Sequence, residues 1–383
     1  MRIAWLGKKS PFCGNVSYGL AVTEALKERG HGISFIHFDT PARFDRADLD
    51  LETENNLAPE VALPYLVKSQ MYTIPSPRAS RELRESLERF KPDLVHASLT
   101  LSPLDFRLPE LCQQLGVPLV ATFHPPFDAG LRNITAGGQQ LTYQLYASSL
   151  AKFDRVVVFS ELQAELLTRL GVAKTTLAVI PNGVDPKLWC PGQSSLSQRF
   201  SGQRVFLYMG RIATEKNVEA LLRAWKLIAM PGCLLVVVGD GPMRQQLQAS
   251  YDGNDVVWWG YEADQTIRLA LLRVAEVFML PSLVEGLSLA LLEAMASGTA
   301  CVATDAGADG EVLGGGAGIV INTQGVTTQL RTLLPVLRDQ PILCSELGRK
   351  ARERVLERYT LKTNIDSLEQ LYYNLIPPIP LVA

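Results

Sequence analysis

Short runs of β-branched and aromatic residues alternate with helical patterns along the whole chain, and this alternation leaves few architectures open. In the first half the runs are Arg2–Gly7, Gly32–Phe38, Asp93–Ser98, Pro118–His124, Arg155–Ser160 and Leu177–Pro181. In the second they are Val205–Gly210, Leu234–Gly239, Val256–Gly260, Glu276–Pro281, Cys301–Thr304 and Gly318–Ile321. Runs such as Val156-Val157-Val158-Phe159 are apolar on both faces, as parallel strands covered by helices must be. The intervening segments carry a helical period, for example Val218, Leu221, Leu222, Trp225 and Ile228. Strand–helix alternation predicts an α/β fold with a doubly wound parallel sheet, and here it occurs twice.

The turn-forming cluster Pro181-Asn182-Gly183-Val184-Asp185-Pro186 and the polar Pro191–Ser195 separate the halves. The expected domains are therefore 1–186 and 187–361, followed by a last helical segment over about 362–383. Ligands of such sheets bind beyond the strand carboxyl ends, so the reaction site is expected in a cleft between the two domains. With 383 residues, 47 % of them hydrophobic, the chain can bury large cores. A net charge of −2 supplies no global field for nucleic acid. The cysteines Cys13, Cys112, Cys190, Cys233, Cys301 and Cys344 show neither a C-x-x-C pair nor metal spacing. That predicts a reducing cytoplasm and no structural zinc. The opening apolar run ends at Gly7-Lys8-Lys9, too soon for a signal peptide, and no run is long enough to span a bilayer. Peripheral attachment to a membrane surface stays open.

The second half carries the more specific chemistry. Glu285 and Glu293 flank the turn Gly286-Leu287-Ser288, where the run Val277–Leu280 passes into a helix. A helix rises about 1.5 Å per residue, which would set the two carboxylates roughly 10 Å apart near one face. Amides exposed at a helix N-terminus favour a diphosphate, and a carboxylate at each end suits the hydroxyls of a nucleotide-sugar. Gly210-Arg211 through Glu215-Lys216-Asn217 ends another strand and is expected to open a helix at Asn217. Arg211 and Lys216 are cations placed where diphosphate charge would develop. Gly239-Asp240-Gly241-Pro242 permits close backbone approach, or is a plain tight turn. Trp259-Gly260-Tyr261 is either a wall for a nucleotide base or packing at a strand end.

In the first half, Gly14 and Asn15 lie in the loop after the first run and could bring amides to a phosphate or an acceptor. Neither a Walker pattern nor a G-x-G-x-x-G follows that run, which argues against a dehydrogenase. His124 and His96 end neighbouring runs, where an imidazole could meet a sugar hydroxyl; His31 and His37 look structural.

With these residues assembled, the chain resembles the family-4 retaining glycosyltransferases of GT-B architecture over nearly its whole length. The resemblance is carried by Gly210-Arg211 with Glu215-Lys216-Asn217, by Gly239-Asp240-Gly241-Pro242, and by Glu285 and Glu293 with seven residues between. It implies that Arg211 and Lys216 hold the donor diphosphate, Glu293 the ribose and Glu285 the sugar hydroxyls, with His124 near the sugar. It implies a UDP-sugar co-substrate, no further cofactor, no metal, and a last helix, Lys362–Tyr373, that returns to the first domain. The chain departs from the family at Asn15, where a second glycine is usual, and at Ser98, where a histidine is frequent.

Met1–Asn15 and Leu63–Tyr72 are similar to cyanobacterial digalactosyldiacylglycerol synthases, which implies galactose transfer from UDP-galactose to a galactolipid. Residues 64–91 hold six Lys or Arg against three Asp or Glu. The stripe Leu83, Leu87, Phe90 could rest on an anionic bilayer or pack on its own sheet. Tyr65, Leu66, Met71 and Tyr72 form the stronger membrane candidate, with Tyr65 and Tyr72 as acceptor contacts beside His96. The rival expectations are transfer to another lipid or a polysaccharide, a non-catalytic nucleotide-sugar-binding protein, and a nucleotide-sugar epimerase.

Overall fold

The structure, a computed structural model, describes residues 1–10, 14–39, 60–69, 72–128 and 134–376. The chain divides into two compact units. One comprises Met1–His124, Tyr143–Ile180 and Ile365–Ala383, the other Pro125–Thr142 and Pro181–Asn364.

The first unit contains β1 (Arg2–Gly7), β2 (Gly32–Phe38), β3 (Val61–Leu63), β4 (Tyr65–Lys68), β5 (Thr73–Pro75), β6 (Leu94–Ser98), β7 (Leu119–Thr122), β8 (Arg155–Val158) and β9 (Leu177–Val179). Seven of these form one parallel sheet in the order β3-β2-β1-β6-β7-β8-β9. In the second unit, β10 (Arg204–Met209), β11 (Cys233–Val238), β12 (Val256–Gly260), β13 (Ala275–Leu280), β14 (Ala300–Thr304) and β15 (Ile319–Ile321) form a six-stranded parallel sheet, ordered β12-β11-β10-β13-β14-β15. Both orders reverse direction once, between β1 and β6 and between β10 and β13. Beyond the strand ends at that reversal, loops diverge to opposite faces and leave a crevice, so the fold itself selects where a ligand sits.

The apolar runs became strands because both faces are covered: β1 is buried from Ile3 to Gly7, and β11 and β13 are almost wholly buried. The pair β4–β5 is an antiparallel hairpin outside both sheets, in register Val67↔Ile74. Its strands are too short for alternation to announce them. The helix Ala79–Phe90 turns Leu83, Leu87 and Phe90 inward, all buried, so that stripe packs within its own unit and does not face a bilayer. The helix stops where Lys91 adopts a left-handed φ of 48° and returns its N–H to the Leu87 carbonyl, one residue before Pro92.

Pro125–Thr142 groups with the second unit, although a domain continuous over 1–186 was expected. Within that unit the Phe127 N–H donates to the Glu285 carbonyl (2.8 Å) and the Glu285 N–H to that of Phe127 (3.3 Å).

The helix Leu361–Tyr373 contributes Ile365, Leu368 and Tyr372 to the core of the first unit. His96 stacks on Trp5 with ring centroids 4.1 Å apart, and its Nδ1 meets the Tyr372 hydroxyl at 2.6 Å. His31 pairs with Glu369 and His37 with Glu60, each at 2.7 Å. Among the described residues no helix is long and apolar enough to cross a membrane.

Tyr372→Phe should leave the buried His96 Nδ1 unpaired. An unfolding free energy lower by about 1–3 kcal/mol is expected from urea titration followed by circular dichroism.

Candidate functional site

At the end of β10, the chain passes through Gly210 and Arg211 into a single 3-10 turn, Thr214–Lys216. Asn217 then takes a left-handed φ of 52°, so the helix begins at Val218 and not at Asn217 as expected. The neighbouring loop after β11 lies against this one with no room for side chains. A Cβ on Gly239 (φ 135°) would sit 1.9 Å from the Gly210 carbonyl oxygen, and one on Gly241 would sit 2.3 Å from that of Ile212. The Ile212 N–H donates to the Asp240 carbonyl at 2.9 Å, which ties the two loops together. The Asp240 loop is therefore more than a plain turn: its glycines are obligatory for the approach.

Across the switch point, the loop after β13 brings Glu285 back toward the same place. Its Oε1 pairs with Lys216 Nζ at 2.5 Å and accepts from the Ser282 hydroxyl at 2.8 Å. Glu285 is buried, and the Leu283 N–H donates to the Glu215 carbonyl at 2.8 Å. Arg211 pairs with Glu215. Four of the expected donor residues, Gly210, Arg211, Lys216 and Glu285, thus come together on two adjacent loops.

The helix behind them differs from expectation. It starts at Leu289, with the Ser288 hydroxyl accepting from the Leu291 N–H as its N-cap. Glu285 therefore lies in the loop, outside the helix, and the two-turn spacing to Glu293 does not apply. Nor are all three amides open, because the Ser288 N–H donates to Asp309 Oδ1 at 3.0 Å. The Leu287 carbonyl accepts from Asn182 Nδ2 at 3.0 Å and that of Gly286 from the Ala308 N–H at 2.8 Å. Gly307, with φ 57°, allows this contact, since a Cβ there would lie 2.1 Å from the Glu285 carbonyl oxygen.

Glu293 is buried on the helix with Arg268 3.6 Å away. Burial pushes its carboxyl up to about 7, against the pull of Arg268. Burial raises Asp309 well above the carboxylate range, and the charge of Glu285 adds to the shift. Asp240 is exposed and lies 3.6 Å from Arg244, beside an open depression of about 420 Å³. Tyr261 is exposed and Trp259 is held by the Arg199 guanidinium 4.4 Å over its ring.

In the first unit, Gly14 opens the helix Gly14–Glu28. Asn15 Nδ2 donates to the Leu99 carbonyl (3.2 Å), and the Ser98 hydroxyl donates to Asn15 Oδ1 (2.9 Å) and contacts His124 Nε2 (2.7 Å). The half-buried His124 ring sits between Tyr18 and Phe159, each 5.2 Å away. Burial lowers its pKa to about 3, with Lys8 adding to the effect, so it is neutral at physiological pH. His96 is a correction. It is fully buried, with Nδ1 on Tyr372 and Nε2 on Thr122 (2.7 Å), and has no nitrogen left for an acceptor. Tyr65 lies half-buried under Lys68 Nζ, and Tyr72 is exposed on the same hairpin; Met71 lies outside the described residues.

Sequence reasoning missed Ser282, Arg268 and Asp309, and read Asn182 only as part of a turn. Ser288 was expected for its amide, and its part as N-cap was legible too, since a serine before an apolar helical run is an N-cap signal. Nothing local marks Arg268 or Asp309, whose partners Glu293 and Ser288 lie well away along the chain, whereas Ser282 bonds Glu285 in its own loop.

Two family descriptions match the sequence: "Glycosyltransferase Family 4" over residues 14–188 and "Glycosyl transferases group 1" over residues 203–339. The chain is 28 % identical over 332 residues to sulfoquinovosyl transferase SQD2 of Arabidopsis thaliana, covering 81 % of this chain but only 61 % of that protein. It is 24 % identical to an Escherichia coli UDP-Gal:alpha-D-GlcNAc-diphosphoundecaprenol alpha-1,3-galactosyltransferase, over 77 % of this chain and 78 % of the relative. Among solved structures, Anabaena HepE in complex with UDP-glucose superposes with a TM-score of 0.77 at 18 % identity, covering 97 % of this chain and 100 % of that one. Sucrose-phosphate synthase from Thermosynechococcus elongatus gives 0.77 at 22 % identity, over 98 % of each chain. Both share the GT-B fold of two Rossmann-like parallel-sheet domains, in agreement with the sheet orders above.

The raised carboxyl of Glu293 has a stability consequence. The folded chain holds this proton more tightly than the unfolded one, whose carboxyl titrates near 4.5. The stabilisation is full below that value and is lost as pH rises through about 7. Glu293→Gln should flatten the stability profile between pH 5 and pH 8, with a gain of up to about 3 kcal/mol at the alkaline end. Urea titrations across that range check it.

Proposed function

The chain belongs to the family-4-type glycosyltransferases of GT-B fold, and from that premise we propose that it transfers a hexose from a UDP-sugar to a lipid-linked acceptor. The specific reaction we propose is galactose transfer from UDP-galactose to monogalactosyldiacylglycerol, giving digalactosyldiacylglycerol. The observation that carries the donor half is the Lys216–Glu285 pair at 2.5 Å, beside Arg211 and the glycine-closed loops at the β10/β13 switch point.

Lys216 spends one of its three N–H donors on Glu285, which leaves two for a diphosphate. Arg211, although paired with Glu215, adds the delocalised charge of its guanidinium. Of the turn, Gly286 and Leu287 offer their amides, while that of Ser288 is committed to Asp309. Glu285 would accept from hexose hydroxyls, and Glu293, once ionised, from the ribose. In the reaction the C1–O bond to the diphosphate breaks and its electron pair leaves with UDP. Arg211 and Lys216 stabilise that charge as fixed countercharge. The acceptor hydroxyl attacks from the same face, giving retention of configuration, and its proton passes to the departing phosphate oxygen. No metal is required, because the countercharge comes from side chains.

The lipid acceptor is supported by the β4–β5 hairpin, where Leu66, Val67, Tyr72 and Ile74 are all exposed. Such a cluster suits an apolar surface better than water. The Escherichia coli relative, whose name gives a diphosphoundecaprenol-linked acceptor, points the same way.

Lys216→Ala and Glu285→Gln should each lower turnover by at least about a hundredfold, the effect of losing one preorganised contact, about 3–4 kcal/mol. Circular dichroism should show both variants folded. Near-normal turnover in both would remove the donor-site assignment.

For the acceptor, labelled UDP-galactose and UDP-glucose are incubated with monogalactosyldiacylglycerol vesicles and the lipid is extracted. Label from UDP-galactose is expected in the organic phase. Label left wholly in water with both donors rejects the lipid acceptor, and isomerised UDP-sugar formed without acceptor would reveal an epimerase.

A further inference from the structure

The hydrogen bonds that converge on Ser98 leave no choice of direction. Asn15 Nδ2 lies 3.2 Å from the Leu99 carbonyl, which can only accept, so the amide is oriented with Oδ1 toward Ser98. Oδ1 can only accept as well, so the single hydroxyl proton of Ser98 goes to it, across 2.9 Å. The 2.7 Å contact between Ser98 Oγ and His124 Nε2 then needs its proton from the imidazole. A neutral ring has one N–H. With that proton on Nε2, Nδ1 carries a bare lone pair, and among the described residues it has no protein partner.

We infer that Asn15 and Ser98 are positioning residues that hold His124 in its Nε2–H tautomer, so that Nδ1 meets the ligand as a hydrogen-bond acceptor. The atom recognised there is the O–H of a hydroxyl, and a phosphate oxygen or a ring ether is refused because it has no proton to give. Whether that hydroxyl belongs to hexose or acceptor rests on the transferase reading above; the tautomer does not. Asn15 and Ser98 work as a unit, with one side chain orienting the other.

The chain has four histidines, which makes an imidazole nitrogen spectrum tractable. Uniformly nitrogen-15 histidine-labelled protein at neutral pH, with His124 assigned by its loss in His124→Gln, should show a protonated Nε2 and an unprotonated Nδ1. A protonated Nδ1 of His124 in the unmodified protein overturns the inference. Ser98→Ala should give a mixture of tautomers and a kcat/KM about tenfold lower, while Ser98→Thr, which keeps the hydroxyl, should restore both. An unchanged tautomer in Ser98→Ala also overturns it. Transfer with the Nδ1–H tautomer sinks this inference alone, whereas the Nε2–H tautomer without transfer sinks only the reaction proposed above.

Discussion

Three glycines let backbone meet backbone around the carboxyl edge of the second sheet, and the grouping of Arg211, Lys216 and Glu285 depends on them. Gly239 and Gly241 admit the carbonyls of Gly210 and Ile212, and Gly307 admits those of Glu285 and Gly286. Any Cβ at these places would fall well inside contact distance of a carbonyl oxygen, which cannot rotate away. The loops carrying Arg211 and Lys216, Asp240, and Glu285 are consequently packed at backbone range. Side chains of ordinary length then converge without having to span a gap. Lys216 reaches Glu285 in this way across 69 residues of sequence.

The charges that gather there are unbalanced. Glu285, Glu293 and Asp309 are buried acids, while the cations that face them are Lys216 and Arg268. Burial makes an unmatched carboxylate costly, so protons are retained instead: Glu293 is raised to about 7 and Asp309 well above its usual range. A site with surplus acceptors and protonated acids is suited to ligands that bring hydroxyl donors, which a sugar and a ribose do. Arg211 adds further positive charge beside Lys216, where a diphosphate would bring negative charge.

Most of both sheets was legible in the sequence because a parallel strand buried on both faces leaves a continuous apolar run, and every such run became a strand; the edge strand β3 of the first sheet was not among them. The β4–β5 hairpin was not, since Tyr65–Lys68 and Thr73–Pro75 are too short for periodicity to register. At the site, Arg211, Lys216 and Glu285 could be named from their place at strand ends. The start of the helix at Leu289 could not, because a glycine before an apolar run reads equally as loop or first turn, and Ser288 decided it by capping. His96 misled for a related reason. A strand-end histidine looks available until the last helix, more than 270 residues away, delivers the Tyr372 hydroxyl to it. Polar groups satisfied by remote partners are what a local pattern cannot report.

The first unit shows how an exposed element can be tied to a buried one. The Thr73 N–H on the hairpin donates to the Leu101 carbonyl at 3.4 Å. Leu101 itself holds a left-handed φ of 54°, a conformation that costs a side-chain-bearing residue roughly 1–2 kcal/mol. It is sustained because Asp105 accepts from the N–H groups on either side, those of Thr100 and Ser102, and from the Tyr146 hydroxyl at 2.8 Å. Two residues earlier in that loop, the Leu99 carbonyl fixes the amide of Asn15, and through it Ser98 and His124. The hairpin, the strained loop and the histidine are thus successive members of one hydrogen-bonded series. Asp105 offsets the strain of the loop whose Leu99 carbonyl holds Asn15, the residue that Ser98 joins to His124.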